Sequence, residues 1–176
     1  MTRLDPRAYL GLAAVASLVM LAAAHAFERL GGYAPCLLCL RQREVYWLAL
    51  VVALAGLVLL ARSREPLLPR VLPLLLAAVF LTGAGVAAYH AGVEWKWFPA
   101  PTACGGVGGN VQASDIDALL RGQGGPMVRC DEAAWSFAGL SMAGWNALVS
   151  LGLAALGGLS ARPQRREAPL EIARAH

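Results

Sequence analysis

The four cysteines are the residues of this chain best suited to chemistry, and two of them form a Cys-X-X-Cys motif. Cys36 and Cys39 make up the motif, and Cys104 and Cys130 follow later in the chain. A thiolate attacks a disulfide through a mixed disulfide, so two cysteine pairs in one chain can pass electrons between them. Four cysteines allow three connectivities, and the spacing alone does not choose among them.

The motif lies just before the second predicted membrane helix, and its neighbours have features of a helix N-terminus. Pro35 precedes Cys36, and proline is favoured in the first turn of a helix. A helix N-terminus stabilises a thiolate and lowers its pKa. Arg43 lies four residues after Cys39, hence on the same face one turn deeper, whereas Arg41 points elsewhere. The Arg43 charge would favour a thiolate at Cys39 or hold the carbonyl oxygen of an electron acceptor.

The composition indicates that membrane helices position these residues. Hydrophobic residues make up 58% and charged residues 15% of the 176 residues, with a mean hydropathy of +0.56. A soluble enzyme of this size is therefore excluded, and the scattered basic residues exclude a nucleic-acid partner. We predict one all-α domain, a four-helix transmembrane bundle. The predicted helices are about 8–27, 45–61, 71–90 and 140–159, joined by outward loops 28–44 and 91–139, with inward segments 1–7, 62–70 and 160–176.

The charge distribution orients this bundle. The two termini and segment 62–70 carry nine basic residues against four acids, whereas 28–44 and 91–132 carry six against seven. Basic flanking residues stay in the cytoplasm, so both termini are predicted to be cytoplasmic and all four cysteines to face the periplasm, where disulfides persist. The first apolar block also resembles a cleavable signal peptide ending at 24–26, but it is longer than a usual signal core, and we expect it to remain as a helix.

The second outward segment combines flexible and helical signals. Seven glycines between positions 105 and 125 favour a flexible stretch that would let Cys104 move. Residues 114–117 have capping-box spacing, and apolar residues follow on one edge up to Leu120. We predict a short amphipathic helix there on the membrane surface.

Several residues also have a simpler interpretation. Arg43 could extend to the lipid interface, His90 could be a satisfied interfacial histidine rather than a proton donor, and Glu94 reads as plain surface charge. The cysteines could form two inert disulfides or bind zinc, although zinc ribbons usually offer two Cys-X-X-Cys pairs and only one is present. We expect no metal. Small residues four apart, including Ser150, Ala154 and Gly158, predict close helix contacts.

An ordered set of motifs resembles the DsbB family, bacterial disulfide-bond formation proteins that reduce quinone. The set begins with Pro35 to Cys39 and Arg43, continues with Tyr89-His90 and with residues 99–104, and covers nearly the whole chain. Its strongest part is Cys130 followed by these residues: Trp135, Phe137, Gly139, Leu140, Met142, Trp145 and Asn146.

The resemblance implies a role for each candidate site residue. It implies that Cys36 and Cys39 reduce a membrane quinone (ubiquinone or menaquinone) and that Cys104 and Cys130 oxidise a periplasmic DsbA-like dithiol protein. Arg43, His90 and Phe27 are similar to residues near the quinone. The expected function is a protein-dithiol:quinone oxidoreductase of the bacterial inner membrane. The alternative is a structural or binding membrane protein whose cysteines form inert disulfides or a zinc site.

Overall fold

The chain folds into an all-α bundle, as the apolar blocks predict. The structure is a computed structural model that describes residues 4–101, 104 and 129–162. Two short strands before the last helix are the one addition to the predicted elements in this part of the chain. The elements are α1 (Pro6–Arg29), α2 (Leu37–Arg62), α3 (Leu68–Glu94), β1 (Ser136–Phe137), β2 (Leu140–Ser141) and α4 (Met142–Ser160).

All four described helices are long and apolar enough to cross a membrane. Many of their large apolar side chains point outward, among them Val15, Val51 and Leu81. A helix satisfies its own backbone hydrogen bonds, which is why such apolar segments can cross lipid. The buried core is built from all four helices, with Tyr9, Ala49, Phe80 and Leu153 as examples.

Helix α2 begins eight residues before the apolar block that predicts it. Cys36 is its N-cap, so the Cys-X-X-Cys motif forms the first helical turn instead of the end of a loop. The residues from Leu40 to Glu44 are polar or charged for the most part but favour helix, so the helix extends beyond the apolar run. Helix α3 likewise continues past His90 and ends at Glu94.

A tight hairpin leads into α4. Ala138 and Gly139 both have positive φ, 51° and 80°, as the two central residues of a turn between two short antiparallel strands require. Ser141 then caps α4 by accepting a hydrogen bond from the Gly144 N–H at 3.2 Å. The motif residues around position 139 therefore set the start of the last helix.

Two sequence predictions fall on residues that are not described. The flexible glycine-rich stretch after Cys104 and the short helix near residues 114–120 both lie outside the described ranges.

Gly157 allows close contact between α4 and its neighbours. It precedes Gly158, one of the small residues four apart that predict such contacts. Gly157 is buried, and a methyl group there would lie 2.5 Å from the Tyr9 hydroxyl and 2.9 Å from the Pro73 carbonyl oxygen. A methyl group added at Gly158 itself would meet no atom within 4 Å.

We expect Gly157→Ala to lower the free energy of unfolding by about 1–3 kcal/mol, because the added methyl group overpacks a contact made with rigid groups. Tyr9 cannot move aside freely, since its hydroxyl donates to the Leu153 carbonyl at 3.1 Å. Unfolding in mixed detergent micelles measures the change. Gly158→Ala is the matched control and should leave the stability nearly unchanged; equal losses in the two variants would contradict the packing argument.

Candidate functional site: a thiol pair beside a buried histidine

The Cys-X-X-Cys pair lies at the outer end of α2 as two free thiols. The sulfurs of Cys36 and Cys39 are 2.9 Å apart, within hydrogen-bonding distance. The backbone N–H of Cys39 donates to the Cys36 sulfur at 3.3 Å, so the thiol caps its own helix. Cys36 is buried and Cys39 is half-buried. This position gives Cys36 the stabilisation that a helix N-terminus offers to a thiolate.

His90 approaches the same sulfur from α3. Its Nε2 atom lies 3.6 Å from the Cys36 sulfur. On the other side of the ring, Nδ1 lies 2.8 Å from the Gln42 side-chain nitrogen, which can only donate. Nδ1 therefore carries no hydrogen in the neutral ring, and the ring hydrogen is on Nε2, directed at the thiol.

A chain of buried side chains fixes this arrangement. The Asn146 amide nitrogen donates to the Gln42 side-chain oxygen, which turns the Gln42 nitrogen toward His90. The Tyr46 hydroxyl donates to the Asn146 oxygen and lies 3.0 Å from the Ser150 hydroxyl. The network thus links α2, α3 and α4 and ends at the thiol pair. Buried polar groups that are all paired in this way hold a single side-chain arrangement.

These contacts favour the ionised form of Cys36. Hydrogen bonding with the Cys39 thiol is the largest cause that lowers the pKa of Cys36. Burial opposes the shift, and the hydrogen bond from His90 adds to it. The site therefore favours the thiolate of Cys36, the form that attacks a disulfide.

The second cysteine pair packs directly against the first. Cys104 and Cys130 are joined by a disulfide. Together with Cys36 and Leu38 they form one buried cluster, with Cys39 at its edge. The structure therefore brings all four predicted catalytic cysteines into one place. Cys36 and Cys39, here called the inner pair, are free thiols, and Cys104 and Cys130, the outer pair, form a disulfide.

An ion cluster beyond the end of α3 holds the Cys130 segment. Lys96 has a positive φ of 64°, and its ammonium group donates to the backbone oxygen and the carboxylate of Asp131, both at 2.6 Å. The Arg129 guanidinium, and after it the Lys96 ammonium, keep the pKa of Asp131 well below its usual range. Cys130 stands between Arg129 and Asp131 in the sequence, so these ion pairs hold it against the thiol pair.

Arg43 and Phe27 lie on the side of the motif that faces α1. The Arg43 guanidinium is paired with the Glu28 carboxylate and donates to the Ala24 carbonyl at 3.0 Å. Phe27 packs against Trp135, with ring centroids 5.4 Å apart. The predicted effect of Arg43 on the Cys39 thiolate stays a prediction, since the contacts of the guanidinium are with α1.

Glu94 is buried, so its interpretation as a surface charge is wrong. Only 7% of its side chain is exposed, and one carboxylate oxygen lies 3.7 Å from His90 Nε2. It lines a small cavity of about 70 Å³ together with Cys36, Cys39 and His90. A larger apolar groove of about 590 Å³ between α2 and α3 contains neither thiol of the pair.

Sequence reasoning missed Gln42, Asn146 and Glu94 as parts of this site. Asn146 was part of the family motif, but its partner is on another helix. His90 and Glu94 lie four residues apart, the spacing of one helical turn. A predicted third helix that continued past His90 would have placed the two side chains on the same face.

We expect the pKa of Cys36 in the reduced protein to lie below the ordinary range for cysteine, so that the thiolate persists as the pH falls from neutral and protonates only in acid. Cys39→Ala should raise the pKa of Cys36, because it removes the hydrogen bond that lowers it most. The pH dependence of the alkylation rate of Cys36, measured with Cys104 and Cys130 both replaced by serine, gives the pKa.

Cys39→Ser is the matched control, since its hydroxyl still donates a hydrogen bond, and it should raise the pKa less than Cys39→Ala. A Cys36 thiol that titrates near 8.5, the ordinary value for cysteine, while Cys39 is intact would contradict this account of the site.

Comparison with known proteins finds relatives over most of the chain. The family model described as "Disulfide bond formation protein DsbB" matches residues 6–160. Disulfide bond formation protein B of Polaromonas sp. (strain JS666 / ATCC BAA-500) is 32% identical over 157 residues, which cover 86% of this chain and 88% of that protein. The protein of the same name from Methylococcus capsulatus (strain ATCC 33009 / NCIMB 11132 / Bath) is 33% identical over 144 residues, covering 77% and 82%. No solved structure matches the chain. The chain therefore belongs to the DsbB family of membrane disulfide bond formation proteins.

Proposed function

We propose that this membrane disulfide oxidoreductase takes electrons from a periplasmic DsbA-like dithiol protein and passes them through its two cysteine pairs to a membrane quinone. One observation carries the proposal: a reduced pair at the start of a membrane helix and a disulfide pack in a single buried cluster. Sulfur atoms held together in this way can exchange without rearrangement of the bundle.

In the proposed order of electron transfer, the Cys104–Cys130 pair reacts first. The partner's dithiol reduces the Cys104–Cys130 bridge through a mixed disulfide on Cys104 and is itself oxidised. A thiolate of the outer pair then attacks the oxidised Cys36–Cys39 pair, reforms the outer bridge and leaves two electrons on the inner pair. His90 donates its Nε2 hydrogen to Cys36 and stabilises the thiolate released there.

The residues near Cys39 fit the head group of a quinone, which when bound accepts two electrons and two protons. Arg43 has five N–H donors and uses two of its nitrogens on Glu28 and Ala24, so it keeps donors for a carbonyl oxygen. Trp135 lines the same small cavity as Cys39, and Phe27 packs against Trp135, so both supply apolar surface. We infer that Arg43, Phe27 and His90 contact the ring, with Cys39 next to it.

We infer a topology with both termini in the cytoplasm and the cysteines in the periplasm. The excess of arginine in the termini and in the segment between α2 and α3 supports it. In this orientation both pairs face the oxidising side of the inner membrane, where the dithiol partner works.

A zinc-binding protein is the alternative, and one observation favours it. The sulfurs of Cys36 and Cys39 and a nitrogen of His90 lie within 4.8 Å of one another. Structural zinc usually takes four protein ligands, and in the described part of the chain this cluster has three. Metal analysis of the purified protein separates the two functions, because the alternative requires one bound metal ion per chain.

We expect Cys36→Ser and Cys39→Ser each to lower the turnover of a reduced DsbA-like protein with added quinone by at least roughly a thousandfold, because electrons can no longer leave the inner pair. The Cys104–Cys130 bridge should then accumulate in its reduced form. Trapping the thiol states with an alkylating reagent measures this. Full turnover in either variant would exclude the proposed route.

We expect Arg43→Ala to raise the KM for quinone roughly tenfold or more, the range of one charge-assisted hydrogen bond. Arg41→Ala is the matched control, because Arg41 is exposed and paired with Glu44 only one turn away. Steady-state kinetics at varied quinone concentration measure the effect. An unchanged KM together with a lower free energy of unfolding would mean that Arg43 only joins α1 to α2.

A further inference from the structure

A cavity of about 850 Å³ lies at the end of the bundle opposite to the thiol pair. Helices α1 and α3 begin at this cavity and α2 and α4 end there, so all four membrane helices contribute to its wall. Because these helices are long enough to cross a bilayer, their ends lie at the depth of the lipid head groups.

Four arginines line this cavity, and in the described part of the chain none of them is paired with a carboxylate. They come from the start of α1, from the segment that joins α2 to α3, from the first turn of α3 and from the residues after α4: Arg7, Arg64, Arg70 and Arg162. At the end that carries the thiol pair, by contrast, Arg41, Arg43 and Arg129 each pair with a carboxylate. The arginines of the cavity are therefore open to a negatively charged ligand.

The two acids in the wall of the cavity leave it positively charged. Asp5 is the N-cap of α1, and its carboxylate accepts from the backbone N–H groups of Arg7 and Ala8 at 3.1 and 3.3 Å. The other acid, Glu65, is exposed. Four arginines against two acids give the cavity a net charge of +2.

The cavity also has more hydrogen-bond donors than acceptors. Arg7 donates from Nη2 to the Leu60 carbonyl at 2.8 Å, and a guanidinium has five N–H donors, so Arg7 keeps others for a ligand. The buried hydroxyl of Ser160 lies in the wall and has no hydrogen-bond partner among the described residues. An excess of donors together with a positive charge is what a phosphate group requires.

We propose that this cavity binds the phosphodiester head group of a phospholipid that carries a net negative charge. Guanidinium groups match the geometry of phosphate oxygens, and basic pockets between membrane helices bind acidic lipid head groups. The acyl chains of a lipid can lie against outward apolar side chains such as Leu159, which lines the cavity and is 46% exposed. This site is distant from the cysteines, and the proposal does not rest on the proposed function.

The charge of the cavity predicts which phospholipids it selects. A zwitterionic lipid such as phosphatidylcholine also has a phosphodiester, but the net positive charge of the cavity repels its ammonium group. Phosphatidylglycerol has the same phosphodiester without the ammonium group. We therefore expect the cavity to prefer phosphatidylglycerol.

Native mass spectrometry of the full-length protein in uncharged detergent tests the proposal, because it counts the lipids bound to each chain. The protein is titrated with phosphatidylglycerol in about 0.5 M ammonium acetate, where the Debye length is about 4 Å and charges that do not touch the lipid are screened. We expect one bound phosphatidylglycerol, with a Kd at least about tenfold lower than the Kd for phosphatidylcholine. Arg64→Gln and Arg70→Gln should each raise the Kd for phosphatidylglycerol about tenfold, the range of one charge-assisted hydrogen bond.

Arg62→Gln is the matched control. Arg62 is an exposed arginine at the same end of the bundle but does not line the cavity, so its replacement should leave the Kd within about twofold of the wild-type value. Equal increases in Arg62→Gln and in the two cavity variants would overturn the proposal, because the lipid would then respond to surface charge alone. Equal affinity for the two lipids would also overturn it.

Inorganic phosphate distinguishes a lipid from a free anion as the ligand. Phosphate at the same concentration as phosphatidylglycerol should not displace it, because phosphate has no acyl chains to lie against the helices. Displacement would overturn the assignment to a lipid. Arg64 and Arg70 are both exposed and belong to different segments, so the test remains valid if one of the two variants fails to fold.

Discussion

The hydrogen bond from Gln42 to His90 is the contact on which the chemistry of this site depends. A neutral histidine has one ring hydrogen, and the position of that hydrogen decides whether the ring can stabilise a thiolate. Gln42 directs it to Nε2, but only because Asn146 of α4 occupies the Gln42 oxygen. The orientation of one ring is therefore set by the packing of three membrane helices, and a change in that packing would alter the thiol pair without touching it.

Burial of this network explains why polar residues occur inside an apolar bundle. Gln42, Asn146 and Tyr46 are buried, and each finds its partner on another helix. In lipid an unpaired polar group is costly, which explains why these three side chains are paired with one another. One oxygen of the Glu94 carboxylate, by contrast, has no hydrogen-bond partner among the described residues, and the same holds for the Ser17 and Ser160 hydroxyls.

The fold could be predicted from the sequence because long apolar runs in a chain of this size allow few alternatives. The error at α2 has a physical reason: Arg41 to Glu44 are polar and thus do not belong to an apolar block, yet they continue the helix into the interface. The cysteines could be identified from residue type alone. The network could not, because the contact between Gln42 and Asn146 depends on how two helices pack, and sequence periodicity gives the face of a helix but not its partner.

The two sides of the thiol pair differ in charge in a way that suits electron transfer to a lipid-soluble acceptor. Toward α1, Arg43 is neutralised by Glu28, so this side offers hydrogen-bond donors without a net charge. Toward the outer end of α3, Glu94 and the Cys36 thiolate share a single donor. The two sides of the thiol pair therefore differ in kind: hydrogen-bond donors for an acceptor lie toward α1, and a carboxyl group with little exposure lies toward the end of α3.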